Sequence, residues 1–280
     1  MKNRRRFLST AGHIFLSVLS IIWLLPVAWL ILQAFRGEGG AFTNYIIPKT
    51  FTLDNFKLLF TDTKLFNFPR WFMNTLFVAV FTTIITTVIV LLTSYAFSRL
   101  RFKFRKPMMN VILVLGMFPG FMSMTAIYHI IKALGLAQSL WALILVYSGG
   151  AAMGYYISKG FFDTIPYAID ESAMLDGATK NQIFWQITLP MSKPIVIYTI
   201  LTSFLAPWVD FIFVSVIMRD SYKNYTVALG LFQMLTRENI GRYFTRFAAG
   251  AVLVAIPITI LFIYMQKYYV SGVTGGSVKG

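Results

Sequence analysis

Long blocks of apolar residues with almost no charge divide this chain. A helix rises 1.5 Å per residue, so about twenty uncharged residues are needed to cross a hydrocarbon core about 30 Å thick. Only 12% of the 280 residues are charged, against about 25% in an ordinary soluble domain. We therefore predict one all-α, polytopic membrane domain with six transmembrane helices. The six blocks cover residues 13–35, 71–98, 107–131, 137–158, 195–218 and 247–266.

The basic residues predict the orientation of these helices. The formal net charge is +15, and nine of the 25 basic residues fall in two clusters beside apolar blocks: Lys2, Arg4, Arg5, Arg6 and Arg99, Arg101, Lys103, Arg105, Lys106. Such clusters stay on the cytoplasmic side, so both termini are predicted to be cytoplasmic. Their position beside apolar blocks indicates topology signals that can also touch anionic lipid, and not a nucleic-acid partner.

With this orientation, each connecting segment falls on a predicted side. Segments 36–70 and 219–246 lie outside the cell, and loop 159–194 and tail 267–280 lie in the cytoplasm. The first apolar block is too long for the core of a signal peptide, so it is predicted to be a retained anchor. In segment 36–70, a short surface helix with Asp54 as its cap is expected.

Several chemistries have no support in the sequence. There is no cysteine, and His13 and His129 have no companion ligands, so no metal site is predicted. The phosphate-binding pattern G-x4-G-K-[ST] is absent, so the chain is not expected to bind ATP through a P-loop. We accordingly predict no catalytic residue and no cofactor bound by this chain.

A polar segment, D-E-S-A-M-L-D-G-A-T-K-N-Q-I-F-W-Q-I-T-L-P-M-S-K-P from residue 170 to 194, interrupts the apolar pattern. Pro166 suits the first turn of a short helix, with Asp163 or Thr164 as its cap. Gly177 can take the left-handed conformation that ends such a helix.

A second short helix is predicted to follow directly. Thr179 and Gln182 have the spacing of a capping box. This helix should bury Ile183, Phe184 and Ile187, and it should stop at Pro190, which cannot continue the hydrogen bonding.

The whole segment resembles the EAA loop, E-A-A-x3-G-x9-I-x-L-P, of ABC importer permeases. Ser172 stands in place of the first alanine, and the other matching positions are Glu171, Ala173, Asp176, Gly177, Ala178, Phe184, Ile187, Leu189, Pro190 and Pro194.

The resemblance implies that this loop docks into a cleft on a separate ATPase subunit, which binds ATP and Mg²⁺. The residues assigned to this coupling are Asp170, Glu171, Ser172, Ala173, Asp176, Gly177, Ala178, Leu189 and Pro190. Taken alone, Asp170 and Glu171 also fit a simpler role in solvating the helix and compensating its dipole.

Most of the chain, and most strongly the part from residue 160 to the end, resembles the maltose/maltodextrin members of that family. The resemblance is carried by Y-T-V-A-L-G from 225, F-A-A-G from 247, I-P-I-T-I from 256 and a glycine-rich tail. The resemblance implies that the tail runs along the ATPase interface, through Gly272, Gly275, Gly276 and Lys279. It also implies that the outer loop 225–242 contacts an extracellular sugar-binding protein, through Tyr225, Gln233, Arg237 and Glu238. The alternatives are a disordered end and a plain solvated connector.

Asp210 is the only acid within the six predicted spans. A charge that faces lipid is costly, so Asp210, with Trp208 beside it, is a candidate for lining a translocation path. Alternatively, Asp210 has a partner on a neighbouring helix, or it lies near the outer interface of the membrane. Pro207 and Trp208 also predict a kink in this helix.

Together these resemblances imply the type I permease fold of a carbohydrate ABC importer in the bacterial cytoplasmic membrane. The implied partners are a second permease subunit, two ATPase subunits, an extracytoplasmic sugar-binding protein, an oligosaccharide substrate and membrane lipid. Two alternatives remain: an ABC permease for another solute class, and a self-sufficient secondary transporter or channel, which would need intramembrane charge pairs or internal repeats.

Overall fold

The computed structural model describes the backbone of residues 2–41 and 43–275, and the side chains of 9–41 and 43–268. Helices make up most of this part of the chain. In order, they are α1 (Lys2–Ala34), α2 (Asp54–Thr61), α3 (Phe68–Arg99), α4 (Arg105–Met117), α5 (Gly120–Ala133), α6 (Leu140–Gly149), α7 (Ala152–Asp163), α8 (Tyr167–Leu175), α9 (Lys180–Gln182), a π-helix (Ile183–Thr188), α10 (Leu189–Met191), α11 (Lys193–Val209), α12 (Ile212–Met218), a 3₁₀ turn (Tyr222–Asn224), α13 (Val227–Met234) and α14 (Ile240–Gly275).

The chain forms two compact units. One contains the residues up to Pro69 together with Leu231–Ala255. In this unit the Asn55 amide in α2 donates to the backbone oxygens of Ala34, at 3.0 Å, and Arg36, at 2.8 Å, which fixes α2 against the end of α1. The Arg246 guanidinium pairs with the Asp62 carboxylate at 2.8 Å.

The other unit contains Arg70–Gly230 and the residues from Ile256 onward. Near the start of α3, the Trp71 indole donates to the backbone oxygen of Tyr222, and the Thr75 hydroxyl accepts from the backbone N–H of Val227. A Cβ at Gly230 would lie 2.0 Å from the Trp71 ring, so only glycine fits there. The 222–230 segment is thus fixed on α3.

Three helices are long and apolar enough to cross a membrane singly: Ser9–Ala34, Phe68–Arg99 and Ile240–Tyr268. Three further pairs meet that test only when each pair is counted as one bent span. Among the described residues this gives up to six crossings, so the count of six and the cytoplasmic position of both termini stay predictions.

The third predicted span, 107–131, is not one helix. α4 and α5 meet at 104°. Phe118 between them is extended, with φ −69° and ψ 132°. Because the ring of Pro119 disfavours the helical conformation of the residue before it, this sequence breaks the helix.

The fifth predicted span, 195–218, is also interrupted. α11 contains Pro207 and ends at Val209, and α12 begins two residues after Asp210. Asp210 is extended, with φ −86° and ψ 103°, and its Oδ1 accepts a 2.9 Å hydrogen bond from the backbone N–H of Phe213. The predicted kink is therefore a full break two residues after Pro207, where the aspartate side chain accepts from the first turn of the next helix.

One smaller prediction was wrong. Asp54 is the first residue of α2 and makes no cap; instead, the Thr52 hydroxyl accepts from the Asp54 N–H at 3.0 Å. The backbone of the glycine-rich end continues α14 as helix through Gly272 to Gly275. Each helical residue adds a backbone hydrogen bond at small cost once the helix is formed, which lets a long helix extend into such a sequence.

Candidate functional site

The predicted cytoplasmic loop begins with α8. Pro166 is the N-cap of this helix and not part of its first turn, and it makes no side-chain cap. The two predicted cap residues belong to the end of α7 instead. Asp163 accepts from the Ser98 hydroxyl at 2.7 Å and pairs with Lys159, while the Thr164 hydroxyl donates to a backbone oxygen of α7.

Gly177 ends α8 as predicted, with a φ of +84°. Its N–H donates to the backbone oxygen of Met174 at 3.1 Å, and the N–H of Ala178 donates to that of Ala173 at 2.9 Å. This pair of bonds is the Schellman motif, which satisfies the last carbonyls of a helix and reverses the chain.

The capping box after the turn is confirmed. The Thr179 hydroxyl accepts from the Gln182 N–H at 3.3 Å, and the Gln182 side-chain oxygen accepts from the Thr179 N–H at 2.8 Å. Ile183 and Phe184 are buried, and Ile187 is half-buried.

The prediction that this second helix stops at Pro190 was wrong. It widens into the π-helix Ile183–Thr188, and helix then continues through Pro190 to Met191. The N–H of Leu189 bonds to the oxygen of Phe184, five residues back. A proline clashes with the carbonyl four residues earlier, and a wider π turn just before it is one way to accommodate the ring.

α8 has a buried side and an exposed side. Asp170 and Ala173 are 6% and 8% exposed, whereas Leu175 is 89% exposed and Met174 is 46% exposed. The other predicted coupling residues are distributed as follows: Glu171, Ser172, Asp176, Gly177 and Pro190 are exposed, and Ala178 and Leu189 are half-buried. The predicted set thus divides into residues that hold the helix and residues that a partner could contact.

Asp170 is held by an arginine at the end of α3. Asp170 Oδ2 lies 3.3 Å from Arg99 Nε, and the two side chains are 9% and 3% exposed. The N–H is not aligned on the oxygen, so this contact is an ion pair without a hydrogen bond. Arg99 Nη2 also donates to the backbone oxygens of Phe162, at 2.9 Å, and Ile165, at 2.7 Å.

A tyrosine of α8 completes this attachment to α3. The Arg99 guanidinium lies 4.4 Å from the centre of the Tyr167 ring, a cation–π distance. The Tyr167 hydroxyl donates to the backbone oxygen of Ser98 at 2.8 Å. α8 is therefore attached to the end of α3 by a charge, a ring and a hydrogen bond.

An apolar cluster lies beside the ion pair. It consists of Leu91, Tyr95, Phe162, Ile165, Phe184 and Ile195. The Tyr95 ring is 4.8 Å from that of Phe184 and 6.2 Å from that of Phe162. Because the cluster joins α3, α7, the π-helix and α11, the inner side of the loop is packed against three helices of its unit.

Sequence reasoning placed Arg99 among the topology-setting charges and missed its contact with Asp170. Its one distinguishing signal is its position directly at the end of the apolar block, before the other basic residues of that cluster. That position shows only that Arg99 lies near the membrane surface, and not which acid it meets.

The predicted outer contact residues differ in exposure. Tyr225 is 4% exposed, and its hydroxyl donates to the backbone oxygen of Arg219 at 2.6 Å. Burial raises the pKa of this phenol, and the neighbouring Tyr222 and Asp220 raise it further. In the other unit, Gln233 is half-buried and Arg237 and Glu238 are exposed.

The predicted tail contacts fall partly beyond the described residues. The backbone of Gly272 and Gly275 belongs to α14, whereas Gly276 and Lys279 lie outside the described residues. Contact between this tail and an ATPase stays a prediction.

The two candidate path residues have different surroundings. Asp210 is half-buried, lines a cavity and accepts a 3.0 Å hydrogen bond at Oδ2 from the Tyr147 hydroxyl. Trp208 is 3% exposed, packs on Phe72 and Phe204, and does not line that cavity. Asp210 thus has a partner on a neighbouring helix and also faces open space. Within the part of the chain that the structure describes, no cluster of three or more His, Asp or Glu residues could hold a metal ion.

Comparison with known proteins places these features in a family. Residues 89–275 match the family model described as binding-protein-dependent transport system inner membrane component. The chain is 38% identical over its full length to the galactooligosaccharides transport system permease protein GanQ of Bacillus subtilis, of which it covers 99%. It is also 38% identical over its full length to the maltodextrin transport system permease protein MalD of Streptococcus pneumoniae, again covering 99% of that protein.

Solved structures share the fold. A chain from a bacterial ABC transporter involved in import of the acidic polysaccharide alginate superposes with a TM-score of 0.77 at 20% identity, covering 94% of this chain and 97% of that one. A chain of the MetNI methionine ABC transporter superposes with a TM-score of 0.57 at 16% identity, covering 76% of this chain and 98% of that one.

Proposed function

Because the chain belongs to the family of binding-protein-dependent transport system inner membrane components, we propose that it is one permease subunit of an ATP-driven oligosaccharide importer in a bacterial cytoplasmic membrane. The named relatives transport galactooligosaccharides or maltodextrin, which supports a neutral oligosaccharide as the substrate, with maltodextrin as the specific candidate. The partners would be a second permease subunit, two ATPase subunits and an extracytoplasmic binding protein.

The observation that carries this proposal is the two-sided burial of α8. Its inner side is fixed to α3 through Asp170. Its outer side presents Glu171, Met174 and Leu175. Exposed aliphatic residues on a polar loop beyond the apolar blocks are typical of a docking surface for another protein.

This geometry supports a mechanical coupling role for the loop. A helix that is packed on its inner side moves together with the helices that hold it. If ATP binding closed two ATPase subunits, the displacement of each docked α8 would pass to α3, and the membrane helices would reorient as rigid bodies between inward and outward openings. The chain would make and break no covalent bond; hydrolysis would belong to the ATPase.

Charge reversal on the outer side of α8 tests this coupling. In proteoliposomes that hold the complete complex, Glu171→Lys should abolish ATP-dependent uptake of maltotriose or galactotriose and weaken co-purification of the ATPase. Asp54→Lys is the matched control, because Asp54 is also an exposed acid, in a segment predicted to lie outside the cell. Undiminished uptake and ATPase binding in Glu171→Lys would contradict the proposal.

The same vesicles separate the proposal from a secondary transporter. Uptake should require ATP and the ATPase, and it should continue after ionophores collapse the ion gradients. Secondary transport needs intramembrane charges or ion ligands, and Asp210 is the only acid of the predicted spans. Uptake by the purified chain without the ATPase would refute the ATP-driven mechanism.

A further inference from the structure

A cavity of about 910 Å³ opens in the unit that contains Arg70–Gly230. Its walls come from α3 to α7, α11 and α12. The volume lies within the range of small-molecule sites, about 300–1,000 Å³. The cavity is therefore large enough to hold part of a solute, and it is larger than a void left by imperfect packing.

The lining of this cavity is mainly apolar, but it includes polar side chains from segments predicted to cross a membrane. Nine lining side chains carry a hydroxyl group, and Asp210 adds a carboxylate. Most serine and threonine hydroxyls here bond to carbonyls of their own helix, as Thr202 and Ser203 do. Those of Thr82 and Thr86 are buried and have no hydrogen-bond partner among residues 9–41 and 43–268. A buried hydroxyl without a partner is costly, so a ligand that bonds to these two threonines would remove that cost.

Asp210 and Tyr147 form a polar end of the cavity with unused hydrogen-bonding capacity. The Tyr147 hydroxyl donates to Asp210 Oδ2, and the backbone N–H of Phe213 donates to Oδ1. A carboxylate can accept about four hydrogen bonds and a phenol can accept as well as donate. Asp210 can thus accept from further hydroxyl groups without losing either existing bond.

Aromatic side chains form part of the remaining wall. Tyr147, Tyr155 and Tyr198 line the cavity together with Phe118 and Phe213. A sugar ring has apolar C–H faces and a polar rim. The aromatic rings of the cavity could pack on those faces, and its hydroxyl groups and one carboxylate could bond to the rim. A cation would meet a single carboxylate here, and a lipid tail would leave the polar groups without partners.

We propose that this cavity binds a sugar unit of the translocating oligosaccharide, with Asp210 and Tyr147 accepting hydrogen bonds from its hydroxyl groups and Thr82 and Thr86 supplying two more. The site rests on the proposed function, since it lies on the path that an imported solute would take. It assigns part of the specificity for a neutral, polyhydroxylated solute to this chain and not only to its partners.

Variants that remove single hydroxyl groups test this site in the complete complex, reconstituted with its ATPase, second permease and binding protein. Tyr147→Phe and Thr82→Val keep the size of each side chain. Thr83→Val is the matched control, because Thr83 is the next residue of α3, bonds its hydroxyl to the backbone oxygen of Ala79 and does not line the cavity. The measured quantity is maltotriose or galactotriose imported per ATP hydrolysed, together with the KM for uptake.

Loss of one hydrogen bond to a neutral group should lower sugar imported per ATP, or raise the KM, by about three- to tenfold. Hydrolysis of ATP and co-purification of all subunits should be unchanged. A merely structural role would instead lower hydrolysis and uptake in parallel. Asp210→Asn is a second probe, since an amide oxygen can still accept the hydrogen bond from the backbone N–H of Phe213.

The outcomes separate the two proposals. If the wild-type complex imports the sugars and both cavity variants behave like Thr83→Val, the sugar site is overturned and the importer stands. If the variants no longer co-purify with the second permease, the cavity is a contact site for a helix of that subunit. The sugar site is then also overturned. If the wild-type complex imports neither trisaccharide with ATP, both proposals fail.

Discussion

Removing the charge of Asp170 should loosen α8 strongly, since it would leave Arg99 buried and unpaired. The two side chains are 9% and 3% exposed. Breaking a buried ion pair by removing one partner costs about 3–5 kcal/mol, because the remaining charge stays desolvated. Arg99 keeps its bonds to the backbone oxygens of Phe162 and Ile165. The stability cost of Asp170→Asn should therefore lie at the lower end of this range, at about 3 kcal/mol.

The more exposed pair Lys159–Asp163 provides a matched control. It is an i,i+4 pair in the neighbouring helix, and its side chains are 20% and 38% exposed. Exposed helical pairs of this type contribute about 0.3–0.5 kcal/mol. Lys159→Met should therefore cost several times less than Asp170→Asn, although both variants remove one charge of a pair.

The free energy of unfolding of both variants can be measured in mixed micelles of dodecylmaltoside and dodecyl sulfate, with the fluorescence of the six tryptophans as the signal. Adding Arg99→Met to Asp170→Leu completes a double-mutant cycle. The double variant should recover much of the stability lost in each single variant, because replacing both charges by apolar groups is often neutral. It should not recover ATPase binding if the orientation of α8 depends on this pair.

Two results would refute this reasoning. One is a stability loss in Asp170→Asn no greater than that in Lys159→Met, which would mean that the pair is solvated in the protein. The second is strict additivity of the two single variants in the double variant, which would mean that Arg99 and Asp170 do not interact.

Three further predictions concern turns and close packing. Gly177→Ala should destabilise the loop by about 1–2 kcal/mol, because its φ is +84°, and Gly177→Asn should cost less in the same unfolding assay. Equal costs for the two substitutions would show that backbone strain is not the cause. Gly230→Ala should cost about 1–3 kcal/mol or more, since the new Cβ would lie 2.0 Å from the Trp71 ring; a stability equal to wild type would mean that the ring can move. Thr179→Ala should cost about 1 kcal/mol by removing the cap to Gln182, whereas Thr179→Ser should retain it, and unchanged protease resistance of the loop in both variants would contradict this role.

Features that depend on a few neighbouring residues could be predicted from the sequence. Gly177 ends α8 because only a residue tolerant of positive φ can form that turn, and the capping box of Thr179 and Gln182 needs a spacing of three residues. The apolar blocks themselves predict membrane helices, because each carries the length that a bilayer demands.

Where two local preferences compete, the sequence alone did not give the outcome. Pro190 was predicted to stop a helix, but a π turn accommodates it. Pro207 was predicted to kink a helix, but the helix ends at Val209, and the extended Asp210 bonds to the first turn of the next one. In each case two local signals lie within a few residues of each other, and the sequence does not show which of them sets the backbone.

The sequence by itself determined that the chain is a helical membrane protein with a polar two-helix loop, because hydrophobic length and turn chemistry are properties of short segments. The tertiary structure alone decided that Asp170 faces Arg99 while Glu171 faces outward, and that Tyr147 and Asp210 meet at one cavity. Residues far apart in the chain become neighbours only when whole helices pack, and no local pattern encodes which side of each helix is then covered.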